Sequence, residues 1–176
     1  WTYDEASHRV TSETLRSPTG EARVVEYSYS PDTRELASVS CGAHTTLYFW
    51  AAGRLTNVTS FAPFANLVFN YSYVPGSDLL QTTTYLDGTV MVTRAWDAAD
   101  RLLSISATNN SGTINSFVYT LDSLGRRVAR QDADASQLSW GYDKYDQLVS
   151  ASRTNGPNGA SDAAYSFGYQ YDEVGN

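Results

Sequence analysis

The chain has 176 residues, of which 41% are hydrophobic, 13% aromatic and 18% charged, a make-up that suits a folded domain able to bury a core and excludes a long disordered tail. Its formal net charge is −7, and its basic residues are eleven arginines and the single Lys144, with no basic run; phosphate binding needs such a run, so nucleic acid is excluded as a partner. No apolar stretch is long enough for a membrane span, the first ten residues lack the pattern of a signal peptide, and one cysteine, Cys41, excludes an internal disulfide or a multi-cysteine zinc site.

Thirteen tyrosines, four tryptophans and 39 serines and threonines favour strands and turns over helices. A recurring pattern organises them. Taken in chain order, eight predicted units are anchored at Tyr3, Tyr29, Phe49, Tyr73, Trp96, Leu121, Tyr142 and Tyr171, 20 to 29 residues apart, and a period of that size decides the architecture. Two positions before each anchor stand Trp1, Tyr27, Leu47, Tyr71, Arg94, Tyr119, Trp140 and Tyr169, six of them aromatic, the alternation of a strand with one buried face. One position after each anchor the residues are Asp4, Ser30, Trp50, Val74, Asp97, Asp122, Asp143 and Asp172. Aspartate there opens a turn, because its side chain accepts backbone N–H groups two residues on. Four positions after the anchors come Ser7, Thr33, Gly53, Ser77, Asp100, Gly125, Asp146 and Gly175, all of them turn-tolerant. Arg34, Arg54, Arg101 and Arg126 follow, and Leu55, Leu79, Leu102 and Leu148 start returning strands such as 102–107 and 148–152.

Each unit therefore reads as a β-hairpin. The second is one residue longer over 29–36, and the fourth replaces the aspartate by Val74 ahead of Pro75-Gly76. The returning strands lead into variable polar linkers, among them Thr108-Asn109-Asn110-Ser111-Gly112 and Thr154-Asn155-Gly156-Pro157-Asn158-Gly159. Leu67-Val68-Phe69 and Phe61-Ala62-Pro63-Phe64 break the alternation, so the linker between the third and fourth units is expected to be buried on both sides or to cover an edge. A lone hairpin is marginal in water, and such units gain stability by stacking on one another. The predicted fold is all-β: residues 1–176 form a single array of about eight consecutive antiparallel β-hairpin repeats in a long curved or spiralling sheet.

The strings Trp140-Gly141-Tyr142-Asp143-Lys144-Tyr145-Asp146-Gln147-Leu148, Trp96-Asp97-Ala98-Ala99-Asp100-Arg101-Leu102, Leu121-Asp122-Ser123-Leu124-Gly125-Arg126-Arg127 and Tyr169-Gln170-Tyr171-Asp172-Glu173-Val174-Gly175-Asn176 resemble the Rhs or YD repeat, whose signature is Tyr-Asp-x-x-Gly-Arg-Leu. The resemblance covers essentially the whole chain. It is best in the third and the fifth to eighth units, and strict Tyr-Asp occurs at Tyr3, Tyr142 and Tyr171. It implies a hairpin sheet spiralling into a hollow shell, as in polymorphic and insecticidal toxins and teneurin barrels, with a toxic C-terminal segment inside. Neither the element that closes such shells nor a cargo domain is present. Because the pattern opens and closes in mid-unit and open sheet edges invite pairing, the expected partners are further repeats of a longer chain or a second copy, together with an enclosed polypeptide cargo. The expected location is secreted or at the cell surface.

Chemical readings compete with this one. Two carboxylates can hydrolyse glycosides, but Asp4, Asp97, Asp122, Asp143 and Asp172 recur at one turn position, which is a scaffolding role. Cys41-Gly42-Ala43-His44 pairs a thiol with an imidazole at a spacing that is not diagnostic of a nucleophile and its base. His8 falls in the polar place after the turn and is read as solvated. Two histidines and one cysteine fall short of a transition-metal site, and Asp132 and Asp134 lack the spaced loop that calcium requires. The glycosylation triplets at Asn57, Asn70 and Asn109 are what a Ser- and Thr-rich chain supplies by chance. Either face of the sheet is available to line an interior: aromatic lining suits an unfolded chain, polar lining suits water. The expected function is a non-enzymatic structural segment of an exported shell or filament that encapsulates or displays a cargo, with no cofactor. The alternative is an extracellular adhesion or binding module whose linkers meet glycan or protein.

Overall fold

The structure is a computed structural model that describes residues 1–63, 65–85, 88–155, 160–172, 174 and 175. Phe64 of the third linker, residues 156–159 of the last linker, and Glu173 and Asn176 of the eighth unit lie outside the described residues.

The chain is all-β. Its strands are β1 (Thr2–Tyr3), β2 (Val10–Arg16), β3 (Ala22–Tyr29), β4 (Leu36–Cys41), β5 (His44–Ala51), β6 (Arg54–Ala62), β7 (Ala65–Tyr73), β8 (Leu80–Tyr85), β9 (Val90–Trp96), β10 (Leu102–Asn109), β11 (Gly112–Leu121), β12 (Arg127–Asp132), β13 (Gln137–Tyr142), β14 (Leu148–Asn155) and β15 (Ala160–Gly168). They lie in one open sheet whose order is the chain order. Only short loops are then needed, which is the meander expected of stacked hairpins. The residues group into two compact units, Trp1–Val90 and Met91–Asn176.

Within each unit the antiparallel register sorts side chains onto two faces. In the first unit, Tyr27 pairs with Val39, Val39 with Thr46, and Tyr48 with Val58, Val58 with Phe69 and Phe69 with Tyr85. The opposite face pairs Ser28 with Ser38 and Asn57 with Asn70, whose side chains hydrogen-bond across the strands at 2.7 Å in both pairs. The second unit repeats the division, with Tyr119 opposite Arg130 and Trp140 opposite Ala151 on one face and Ser139 opposite Ser152 and Ser152 opposite Ser166 on the other. Most aromatic side chains thus share one face, while the other carries the hydroxyl and amide pairs together with Leu47, Phe49, Val68 and Val118.

The register slips by one residue between Ser28 and Tyr29, Phe49 and Trp50, Ser72 and Tyr73, Thr120 and Leu121, and Gly141 and Tyr142. A bulge at the same place in these five hairpins lets a short turn close while keeping the anchor on the aromatic face.

The expectation of a buried core is corrected. Among the described residues no hydrophobic side chain is buried, and the one buried residue is Ser136. A sheet with no second layer leaves each face half-covered by neighbours in its own plane. Leu67 is 41% exposed, so the third linker is not buried on both sides.

Candidate functional site

The turn ends of the hairpins hold the residues that recur, and they are the candidate functional site. Asp97 opens its turn by accepting the N–H groups of Ala99 (2.9 Å) and Arg101 (3.0 Å) on Oδ1, while its Oδ2 takes Arg101 Nε at 2.7 Å. Asp122 does the same with Leu124 (2.9 Å), Arg126 N (2.9 Å) and Arg126 Nε (2.7 Å). Asp143 accepts from Tyr145 at 2.8 Å and Gln147 at 2.9 Å, and Asp172 from Val174 at 3.0 Å. In the first unit Asp4 accepts from Ser7, at 2.6 Å. The N–H groups and guanidinium of Arg101 favour the Asp97 carboxylate, so it stays below its ordinary range. At Asp122 desolvation opposes the charge, but Arg126 and the Arg126 and Leu124 amides outweigh it, and the carboxyl again lies low.

Each of these turns closes through a left-handed residue: Asp100 (φ 60°), Gly125 (84°), Asp146 (65°) and Gly175 (84°). Glycine adopts that conformation without strain, and aspartate tolerates it better than most residues. In the two longer turns the left-handed place moves one residue on, to His8 (57°) and Arg34 (63°). His8 is therefore the turn-closing residue, and Arg9 follows it at the head of the returning segment. Ala52 (51°) and Gly53 (74°) form a two-residue turn flanked by the Ala51–Arg54 pair, and Gly76 (77°) follows Pro75 as in a type II turn.

The anchors link one hairpin to the next. Tyr29 Oη donates to the carbonyl of Val10 (3.0 Å), Tyr73 to Leu55 (2.8 Å), Tyr142 to Arg127 (2.9 Å) and Tyr171 to Leu148 (2.8 Å), in each case to the strand returning from the preceding turn. In the third hairpin the donor is Trp50 Nε1, to Leu36 at 2.8 Å. Phe49 faces the other way and is 48% exposed, so the third anchor is Trp50 rather than Phe49. The two-residue turn shortens that hairpin by one position and moves the anchor with it. Leu121 occupies its anchor place opposite Arg127 without a donor group, and Tyr3, paired with Val10, is 55% exposed.

A second set of links was not legible in the spacing. The first long side chain after a turn reaches over the next anchor toward the next turn. Arg9 lies over Tyr29 (5.0 Å to the ring centroid), Arg54 over Tyr73 (5.3 Å) and Arg126 over Tyr142 (4.7 Å). Arg54 Nη1 then donates to the Ser77 carbonyl and Arg126 Nη1 to Asp146 Oδ1, both at 2.5 Å. Arg101 Nη1 lies 3.1 Å from where a side chain on Gly125 would begin, and Gln147 Nε2 stands equally close to Gly175. Arg54 and Arg126 thus staple their turns to the following ones.

The competing chemical residues are placed elsewhere. Cys41 and His44 face each other across a two-residue turn, the thiol half-buried and the imidazole exposed. Asp132 is held by Arg130 through Nε (2.6 Å) and Nη2 (2.9 Å), and Asp134 accepts the Ser136 N–H at 2.9 Å. Among the described residues no three acidic, histidine or cysteine side chains gather as a metal site would require, and no helix is long and apolar enough to cross a membrane.

No family model matches the chain, and no curated protein matches it in sequence. Solved structures do match its fold. The Photorhabdus luminescens Tc holotoxin pore is similar over 99% of this chain, with a TM-score of 0.76 and 15% identity. TcdB2-TccC3-TEV is similar over 96%, with a TM-score of 0.72 and 14% identity. TcdB2-TccC3 without its hypervariable C-terminal region is similar over 84%, with a TM-score of 0.70 and 14% identity. The chain spans about a tenth of the length of these proteins, 10% of the first and 9% of the other two. At the level of fold, the resemblance to the YD-repeat shell holds.

Proposed function

We propose that residues 1–176 are a non-enzymatic repeat segment of an exported shell, one array of about eight hairpins whose work is to enclose or display a polypeptide cargo at the cell surface or outside it. The observation that carries this reading is the repeated staple. Arg54 and Arg126 each donate to the following turn, and Arg101 and Gln147 lie close to the glycine of theirs, as suits a wall that gains stability from neighbour to neighbour. The aspartates of the turn position, tied up by backbone N–H groups, serve the same end. Likeness in fold to the Tc holotoxin structures supports it. The partners are further repeats or another copy, and the enclosed chain.

The test is limited proteolysis of the full-length protein that carries this segment, beside light scattering and electron microscopy of the particle. A polypeptide that resists protease in the intact particle and is digested once guanidinium unfolds it is the expected result. Digestion of every part at the same rate in the intact particle overturns the reading.

A binding module is the second reading. It is favoured by Leu124, Tyr145 and Val174, apolar side chains at successive turn tips that are 70%, 71% and 80% exposed. Glycan or protein-array binding that disappears when all three become serine would support it.

A further inference from the structure

We propose that the turn ends of the β11–β12 and β13–β14 hairpins form an acid-released latch, in which protonation of Asp122 frees Arg126 and so loosens the next hairpin as well. The inference concerns this chain alone and stands whether or not the segment belongs to a shell.

Arg126 is the hub. Its Nε is held by Asp122 Oδ2 at 2.7 Å, its Nη1 by Asp146 Oδ1 of the following turn, and its guanidinium lies 4.7 Å from the centroid of Tyr142. Asp122 fixes the hub from behind, with its other oxygen on the Leu124 and Arg126 amides. The charged groups facing this carboxylate are few. Arg126 belongs to its own turn, Arg101 comes from the preceding turn and rests against Gly125, and Asp146 stands across Arg126. Lys144 turns aside to the Tyr145 ring, 4.7 Å away.

A neutral Asp122 loses the ion pair and most of its pull on two amides at once. Arg126 is then anchored at one end only, and its position over Tyr142 is no longer fixed. The folded carboxyl titrates below its ordinary value of 3.8, so the latch is intact above that value and is lost as the pH falls through the lower, folded one. Among the described residues of the first unit no turn carboxylate bridges two turns through an arginine: Asp4 lies on the Ser7 and Ala6 amides, Ser30 Oγ opens the next turn, and the Arg54–Asp78 contact spans 3.9 Å with the Asp78 side chain 94% exposed.

The experiment is a pH titration of the whole chain by NMR, from neutral to about pH 2, following the amides of Leu124 and Arg126 and the ring signals of Tyr142. The expected result is a single transition shared by all three, with a midpoint below the ordinary carboxylate value, while the amides of Ala51 and Arg54 in the first unit do not follow it. In addition, Asp122→Asn at neutral pH should place the Tyr142 ring signals at their acid position and speed exchange of the Arg126 amide about tenfold, the β-sheet circular dichroism being retained. Tyr142 ring signals that stay still while the Leu124 amide titrates would overturn the latch, and so would a midpoint at or above the ordinary value. Because the unmodified chain reports both, the outcome does not depend on the variant folding.

Discussion

Tyr73 offers the most direct measure of what one anchor contributes. Its hydroxyl donates to the Leu55 carbonyl at 2.8 Å in a part-buried setting, its half-buried ring sits opposite Leu80, and the Arg54 guanidinium lies 5.3 Å from the ring centroid. Tyr73→Phe removes only the hydrogen bond, a loss of about 1 kcal/mol. Tyr73→Ala removes the ring too. Full burial would make that worth about 3 to 5 kcal/mol, and half-burial brings it to about 2; the lost cation–π contact adds about 0.5 to 1 kcal/mol at a partly exposed site. With the hydrogen bond, the alanine variant should therefore cost about 3.5 to 4 kcal/mol in all. For a unit of about 90 residues each kcal/mol lowers Tm by about 4 to 8 °C, so thermal circular dichroism should show a fall of about 5 °C for phenylalanine and about 20 °C for alanine. An alanine variant that melts within about 2 °C of the parent, on that same scale, would refute the claim that anchors join neighbouring hairpins.

Three further outcomes follow from the turn geometry and the register. Trp50→Ala should lower Tm more than Phe49→Ala, by about 1 kcal/mol or more, because only Trp50 reaches back to Leu36; equal losses would return the anchor to Phe49. Ala135, held at φ 63°, should gain about 1 kcal/mol on replacement by glycine, whereas Gly125→Ala meets both a φ of 84° and Arg101 at 3.1 Å and should lose about 1 to 2 kcal/mol, both read by thermal melts. Tyr27 donates to Glu13 Oε1 at 2.8 Å, and this bond raises its pKa above 10. Its share of stability is thus full below the ordinary tyrosine value and lost as the pH rises through the folded one. Tyr27→Phe should remove a component that titrates above the ordinary tyrosine value from the tyrosinate absorbance titration, and an unaltered titration would refute the assignment.

The fold was legible because anchor, turn aspartate and returning leucine recur in a fixed order, and a strand followed by a turn has few ways to fold other than as a hairpin. The details that escaped are those a single residue can shift. Ala52 and Gly53 make a turn one residue shorter than its neighbours, which carries the third anchor from Phe49 to Trp50. Longer first and second turns put His8 and Arg34 in the left-handed place, where spacing alone suggested Ser7 and Thr33. The staples were hidden for a different reason. Arg126 and Asp146 are 20 residues apart, and only the cross-strand register brings them together. Composition also misled about the core, since 41% hydrophobic residues can as well be spread half-covered over the faces of a single sheet.

A sheet whose described residues include no buried apolar side chain takes its cooperativity from contacts between adjacent hairpins, and this has a measurable consequence for combined substitutions. Tyr29 reaches back to β2 and Tyr73 to β6, and they share no partner. Sites with no common contact add to within about 0.5 kcal/mol, so the Tyr29→Phe, Tyr73→Phe double variant should lose what the two single variants lose together. Arg54 and Tyr73 are different, because the guanidinium lies against the ring and then continues to the Ser77 carbonyl. Once Tyr73 is alanine, Arg54 has lost the surface that orients it, and Arg54→Ala should then cost at least about 0.5 kcal/mol less than it does in the parent. Denaturant melts of the four proteins in that cycle decide the matter. Coupling between Tyr29 and Tyr73 as large as that between Arg54 and Tyr73 would mean that stability is held by the sheet as a whole and not passed from one hairpin to the next.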